Sequence, residues 1–389
     1  MPFIAFLVIL CCGAGIFWLI AYLLRKRMAR VSLALGIIGT LAALFFLSLW
    51  GIELSGWQSQ GLYKQLMYGL ENEDLRQFIN EKEDHYEQSI FMLSLTAGSL
   101  NEYAHVYPEQ KNRILTEFDW MIQYIMDEDR FPVWKNRRNW GNELFFLTHA
   151  AIIIAHYQSV TGLEEYDESW KRICEFIATG ITRSKYKHMA SRPKDKALRP
   201  ADNAAALYAL KLFDDAHQTD LLSAAAEDWT YYIERELQFE DTKLPCAGFT
   251  TTNRCNLSPV GGSLAMLNVY AAGAKLTISK DFWREFRYYY KETFVNVFGW
   301  ITLIPRGADL PEFCDFSVAP LTCGRYENSL GIYAAALRED WITYYQLNNA
   351  SLMNDLLHPP NQLWNQPLQE QLYGMITLAA RLSAGMKPS

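Results

Sequence analysis

Two uncharged apolar runs open the chain, Phe3 to Leu24 and Val31 to Ile52, and the rest alternates between two kinds of helical segment. At 1.5 Å rise per residue, each run is long enough to cross a hydrocarbon core of roughly 30 Å. The pattern therefore predicts two transmembrane helices, with Trp50 suited to the membrane interface at the end of the second. A cleaved signal peptide would instead place positive charge before an apolar core of roughly 7 to 15 residues. Here Met1 and Pro2 carry no basic side chain, while Arg25, Lys26, Arg27 and Arg30 crowd the turn between the runs. The positive-inside rule puts that turn in the cytoplasm and sends the C-terminal part to the periplasmic or extracellular side of the inner membrane.

Beyond Ile52, segments that are apolar on nearly every face recur about every 55 residues, just above the usual range of helical repeats. They are Tyr86 to Glu102, Glu143 to Gln158, Asp202 to Phe213, Gly262 to Ala274, Arg325 to Leu337 and Glu370 to Ser383. A helix of this kind is buried on all sides. Between them lie segments with a polar stripe, Glu109 to Asp127, Tyr166 to Ile181, Asp220 to Glu236, Asp281 to Val297 and Asp340 to Asp355, which predict an outer layer. Period-2 strand patterning is almost missing. The expected fold is all-α, two transmembrane helices followed by an (α/α)6 toroid, with a one-directional solenoid and an orthogonal bundle as alternatives. Residues 1–52 form the anchor, 53–84 a linker and first helical segment, and 85–389 the toroid domain.

A formal charge of −7 argues against a nucleic-acid footprint. Cys246 and Cys255 are nine residues apart, as are Cys314 and Cys323. On the outer side of a membrane these spacings suit two local disulfides; free buried thiols are the other reading. No Walker loop, HExxH, GxSxG or EF-hand pattern occurs, so neither a metal nor a cofactor is expected.

If the inner helices all run one way, their N-termini share one rim, and the loops entering them build its mouth. The first such loop carries Trp134, Arg137, Trp140, Asn142 and Glu143, aromatic platforms and polar groups for a sugar or a carboxylate, and leads to His149 two turns inside its helix. The second ends at Asp202 and Asn203, where Asp202 is placed either as a first-turn acid with a purely structural task or as a carboxyl of raised pKa. The densest polar loop holds Arg306, Glu312 and Asp315 and runs on to Arg325, Tyr326 and Glu327. His149, Asp202, Glu312, Asp315 and Glu327 are the candidate proton-transfer groups. Trp134, Arg137, Trp140, Asn142, Glu143, Asn203, Arg306, Arg325 and Tyr326 are the candidate substrate contacts.

The stretch from His149 to Gly162 with Glu165 and Tyr166, the run Ala201 to Leu210, and the run Tyr288 to Val295 together resemble the linalool dehydratase isomerase family over residues 85 to 384. The resemblance implies an α/α toroid with its site at the inner-helix rim, and it matches His149 to a histidine of that family's acid–base chemistry. This chain has Asp202 where the family places a catalytic cysteine, and it lacks matches for the second cysteine and the early aspartate. Glycoside hydrolases, polysaccharide lyases and epimerases share the architecture, and fold alone does not choose among them. The expected protein is an anchored enzyme acting on an envelope carbohydrate or a small lipophilic alcohol, as a hydrolase, lyase or isomerase. Its alternative is a non-catalytic subunit that binds an envelope glycan or a protein partner. The expected partners are the inner-membrane bilayer, a glycan or small-molecule substrate, and an envelope protein complex.

Overall fold

The computed structural model describes residues 15–25, 28–54, 56–81, 86–192, 197–251, 255, 259–306, 324–357 and 359–387. The protein is mostly helical. Helix α1 (Gly15–Leu24) and helix α2 (Ala29–Leu54) lie side by side, joined by a Ser32 hydroxyl that donates to the Ala21 carbonyl at 2.6 Å. Small residues permit the approach: a Cβ on Gly39 would sit 2.9 Å from Phe17 Cβ. The outer faces of the pair leave Trp18, Leu19, Tyr22, Leu23, Leu33 and Leu41 more than half exposed.

The remaining helices are α3 (Trp57–Glu71), α4 (Glu73–Glu81), α5 (Tyr86–Val106), α6 (Lys111–Met126), α7 (Leu144–Thr161), α8 (Asp167–Arg183), α9 (Pro200–His217), α10 (Leu222–Tyr232), α11 (Gly261–Gly273), α12 (Ser279–Tyr290), α13 (Arg325–Leu337), α14 (Trp341–Leu357) and α15 (Leu368–Gly385). Six of them pack in a closed cycle: α5 on α7, α7 on α9, α9 on α11, α11 on α13, α13 on α15, and α15 back on α5. Their sequences explain why. Ala204, Ala205 and Ala206 of α9 and Ala334 and Ala335 of α13 are fully buried, and such small side chains let helices meet on both flanks. Helix α7 is the one described helix long and apolar enough to cross a membrane, yet 83% of its apolar window is buried among its neighbours. It is therefore a core helix. Gly162, at φ 74°, ends it by donating its N–H to the Gln158 carbonyl at 2.8 Å, a left-handed cap that suits glycine.

Helices α6, α8, α10, α12 and α14 alternate with the cycle along the chain. Helix α14 departs from the polar stripe expected for it, because Thr343, Gln346, Asn348 and Asn349 are buried together with its apolar side chains. A sixth outer member, not singled out by the polar stripe, is α3, which packs on α15 and stacks Tyr63 on Tyr103 of α5 at 4.0 Å. The outer segment expected from Asp281 to Val297 is a helix only as far as Tyr290. Beyond it, strands β1 (Lys291–Phe294) and β2 (Phe298–Ile301) form an antiparallel hairpin that pairs Lys291 with Ile301 and Phe294 with Phe298. The physical cause is local: Val295 and Asn296 take φ of 47° and 57°, the left-handed turn geometry of hairpins, and Trp300 and Ile301 are buried against the ring. Tyrosines close the middle of the cycle. Ser94, His156, Tyr208, Tyr270 and Tyr333 surround a cavity of about 20 Å³, the size of a single water site.

Candidate functional site

Acidic residues mark the start of nearly every inner helix. Glu87 lies in the first turn of α5, Glu143 immediately before α7, and Asp202, Glu327 and Glu370 in the first turns of α9, α13 and α15. Part of this pattern is structural, because a carboxylate near a helix N-terminus meets the positive end of the helix dipole. Helix α11 departs from it with Gly261 and Gly262, and the reason is space. A Cβ on Gly262 would stand 3.2 Å from Glu327 Oε1 and 3.1 Å from the Tyr326 ring, while one on Gly261 would meet the Thr302 carbonyl oxygen at 2.0 Å.

The helix N-termini themselves are not open to ligand at two places. At α7 the N–H groups of Leu144 and Phe145 donate to the carbonyls of Ala190 and Ser191 at 3.4 and 3.0 Å. At α11 the Gly261 N–H donates to the Leu303 carbonyl at 2.8 Å. Those N–H groups are therefore already satisfied and are not free to capture an anion.

A rim cavity of about 540 Å³ lies between the start of α13 and helices α14 and α15. Glu327, Arg325 and Tyr326 line it together with Trp300, Tyr373 and the Asp355–Arg381 pair. Arg381 is 5% exposed and grips Asp355 with two hydrogen bonds, 3.1 and 2.7 Å. Arg325 donates to Asn354 Oδ1 at 3.0 Å and feels the charges of both Asp355 and Arg381, so the wall presents two guanidinium groups among the carboxyls of Glu327, Asp355 and Glu370. Burial pushes the Glu327 carboxyl above its ordinary range, with its own backbone N–H pulling the other way. A carboxyl so raised keeps its proton more readily than a solvated one, and it lies beside two guanidinium groups with hydroxyl, amide and aromatic side chains around it.

A second rim cluster stands over α7. The Glu143 carboxyl is pushed up to about 7, first by burial and then by the charge of Glu87. Glu87 meets Arg192 at 3.0 Å, and the Arg192 guanidinium lies 5.1 Å above the Phe145 ring. Beneath it His149 is fully buried, its ring against Phe145 at 4.5 Å, Phe91 at 5.4 Å and Tyr270 at 6.1 Å. The Ser94 hydroxyl lies 3.0 Å from the Phe91 carbonyl and 2.7 Å from His149 Nδ1, while His149 Nε2 has no hydrogen-bond partner. Burial, reinforced by the Arg192 charge, pulls this imidazole down to about 3. It is neutral at physiological pH, so any proton transfer at this ring would begin from the unprotonated imidazole. Asp202 is buried and its charge bears on Tyr270 and Tyr326, which links the His149 pocket to the rim cavity.

Several expected substrate contacts have other tasks. Trp134 donates its indole N–H to the Ile125 carbonyl at 2.7 Å and Trp140 donates to the Val133 carbonyl at 2.9 Å, and the two rings meet at 6.4 Å. They seal a loop against α6 and α7, and Arg137 lies exposed over Trp140. Asn142 is exposed. Asn203 is buried and clamps its entering loop, accepting from the Met189 N–H at 2.9 Å and donating to the Met189 and Arg199 carbonyls. Arg306 pairs with Glu292 at 2.9 Å on the exposed face of the hairpin. Glu312 and Asp315 lie outside the described residues, as do Cys314 and Cys323. Cys246 and Cys255 are free thiols rather than a disulfide: the two side chains are hydrogen-bonded neighbours, and Cys255 Sγ also faces the Leu237 carbonyl at 3.5 Å.

Sequence reasoning missed Glu87, Arg192, Asp355, Glu370, Tyr373 and Arg381. A usable signal existed for Glu87 and Glu370, since each sits in the first turn of an inner helix like Asp202 and Glu327. No family model matches the chain, and no curated protein matches it.

Proposed function

We propose that the chain is a membrane-anchored enzyme of (α/α)6 toroid architecture that acts on an acidic envelope glycan from the periplasmic or extracellular side. The observation that carries the reading is the rim cavity, where Glu327, with its carboxyl raised by burial, faces the same space as Arg325, Arg381, Tyr326 and Tyr373. The two guanidinium groups bind a carboxylate on the sugar, the aromatic rings pack on its faces, and Glu327 delivers a proton to the leaving glycosidic oxygen. Glu143, held near neutrality, is the second proton carrier on the rim. A lipophilic alcohol fits less well, because the cavity lining is rich in Asn, Gln, Ser and charged groups.

The closed helix cycle supports the toroid, and the weak resemblance to the linalool dehydratase isomerase family agrees with that architecture without supplying its cysteine chemistry. The anchor reading rests on α1 and α2, whose exposed leucine, tryptophan and tyrosine side chains have no partner layer in the fold. A second reading, a glycan-binding subunit without catalysis, is favoured by one observation: Asp355, another acid lining the cavity, is held by two hydrogen bonds from Arg381 and is not a free partner for Glu327.

Incubating the full chain in neutral detergent with polyuronate polysaccharides tests both. Release of new reducing ends or of an unsaturated uronate, lost in Glu327→Gln, supports the enzyme. Retention of polyuronate without bond cleavage supports the binder, and neither retention nor cleavage removes the acidic-glycan assignment.

A further inference from the structure

The opposite end of the ring carries the reverse charge pattern. Where α11 and α13 end and α12 begins, a cavity of about 600 Å³ is lined by Lys275, Lys280, Arg287 and Arg338, with Trp283 at its wall and Glu339 and Asp340 as its acids. Asp340 is already engaged: it accepts the Trp283 indole N–H and the Arg287 guanidinium, each at 2.8 Å. Arg338 has no such partner. Its Nε and Nη2 are both out of solvent without a hydrogen bond, and so is Arg287 Nε. Basic side chains at helix C-termini are favoured by the helix dipole, which explains the presence of Lys275 and Arg338. It does not explain buried guanidinium donors left unmade, each a costly omission in a folded protein. Burial and the neighbouring Arg287 pull Arg338 down to about 10, so it remains a cation at neutral pH.

The anchor joins the ring at this same end. Gly56, which leads into α3, lies beside Tyr107 at the end of α5, with a Cβ there standing 3.0 Å from the tyrosine hydroxyl. Ser59 of α3 likewise meets Gly385 at the end of α15. Helix α2 therefore enters at the C-terminal ends of the inner helices, the level at which Lys275 and Arg338 stand.

We propose that the cavity bounded by Lys275, Lys280, Arg287 and Arg338 binds a phosphate group, supplied by the headgroup of an anionic lipid. Phosphate oxygens accept the fork of N–H donors that a guanidinium presents, and two such forks with two lysines suit a single phosphate. The lipid as source rests on the anchor reading; phosphate binding itself does not.

The test uses the full chain and its thermal unfolding midpoint, measured in neutral detergent with inorganic phosphate, and in nanodiscs of phosphatidylcholine alone or with phosphatidylglycerol. The expected result is a higher midpoint with phosphatidylglycerol than with phosphatidylcholine, and a roughly tenfold or greater loss of anion affinity in Arg338→Gln. Arg338→Gln should unfold no earlier than the parent without anion, because it removes an unpartnered buried charge. Lys275→Gln with Lys280→Gln, both exposed positions, should weaken the same response if Arg338→Gln fails to fold. A response to inorganic phosphate that phosphatidylglycerol does not exceed supports the site and overturns the lipid source. If neither probe shifts the parent, or Arg338→Gln responds equally, the site is wrong. Failure of the chain to float with phosphatidylcholine vesicles would overturn the anchor while leaving a phosphate response interpretable.

Discussion

The two ends of the helix ring are built from the same helices and carry opposite chemistry. At the N-terminal end, Glu87, Glu143, Asp202, Glu327 and Glu370 form a circle of carboxyl groups, two of them with pKa values raised by burial. At the C-terminal end, around α11 and α13, four cations outnumber two acids. Both arrangements follow the helix dipole in sign, yet each goes beyond it through groups that are buried as well as charged. The difference teaches that a parallel ring of helices is electrically polarised by construction. The proposed site for proton chemistry at one end and the proposed seat for anions at the other both extend that polarity.

The sharpest way to break the comparison is at Glu327. Glu327→Gln keeps the shape of the side chain and removes its proton, and turnover of a polyuronate should fall by about 10²- to 10⁴-fold with little change in substrate retention. Arg306→Gln, paired with Glu292 on the exposed face of the hairpin, should leave turnover unchanged; loss there would show that substrate also reaches that outer face.

Next in size is Gly261→Ala, which drives a methyl group into the Thr302 carbonyl. Overpacking of this kind costs about 1–3 kcal/mol, read as a lowered midpoint in denaturant unfolding. An unchanged midpoint would mean that the α11 N-terminus relaxes freely from the hairpin.

Acid should then loosen the ring from within. Burial pulls His149 down to about 3 and His156 and His188 to about 4, each against an ordinary value of 6.5. The folded state therefore holds these imidazoles neutral while the unfolded chain takes up protons. Their contribution to stability is full above pH 6.5 and is lost as pH falls toward 4. Glu143 acts in the other sense, since its raised pKa favours the fold at low pH and the benefit disappears as pH rises through about 7. A thermal midpoint followed from pH 7.5 to pH 4.5 should fall, and His149→Gln should flatten the slope. A slope that His149→Gln leaves intact would assign the acid sensitivity elsewhere.

The smallest expected effect concerns the thiols. Cys255 is half-buried whereas Cys174 and Cys246 are buried, so alkylation of the native chain should reach Cys255 first and the other two only on unfolding. Recovery of Cys246 and Cys255 as a disulfide from protein kept in its native compartment would reverse the assignment of free thiols.

The helical class and the spacing of inner and outer helices were legible because burial on every face leaves an unbroken apolar segment, and Ala204 to Leu210 or Ile152 to Ala155 show it plainly. Helix α3 was not recognised as an outer member, since its polar residues do not form a clean stripe. The first strand and turn of the hairpin, Lys291 to Val297, read as helix in the sequence because Tyr288 to Val297 carries no glycine or proline, and the turn depends on two non-glycine residues in left-handed geometry.

Taken by itself, the sequence determined where the six inner helices lie and that they are buried, the apolar character of α1 and α2, and the placement of acids at helix starts. These are properties of neighbouring residues, governed by periodicity, burial and the local helix dipole. Only the tertiary structure decided that the six inner helices meet in a cycle, that Arg381 and Asp355 join Glu327 at one cavity, and that Trp134, Trp140 and Asn203 pack instead of facing it. It also decided that His149 is neutral and that Arg338 is left without a partner. Those outcomes depend on which side chains from distant segments share a low-dielectric space, and no local pattern encodes the desolvation that follows.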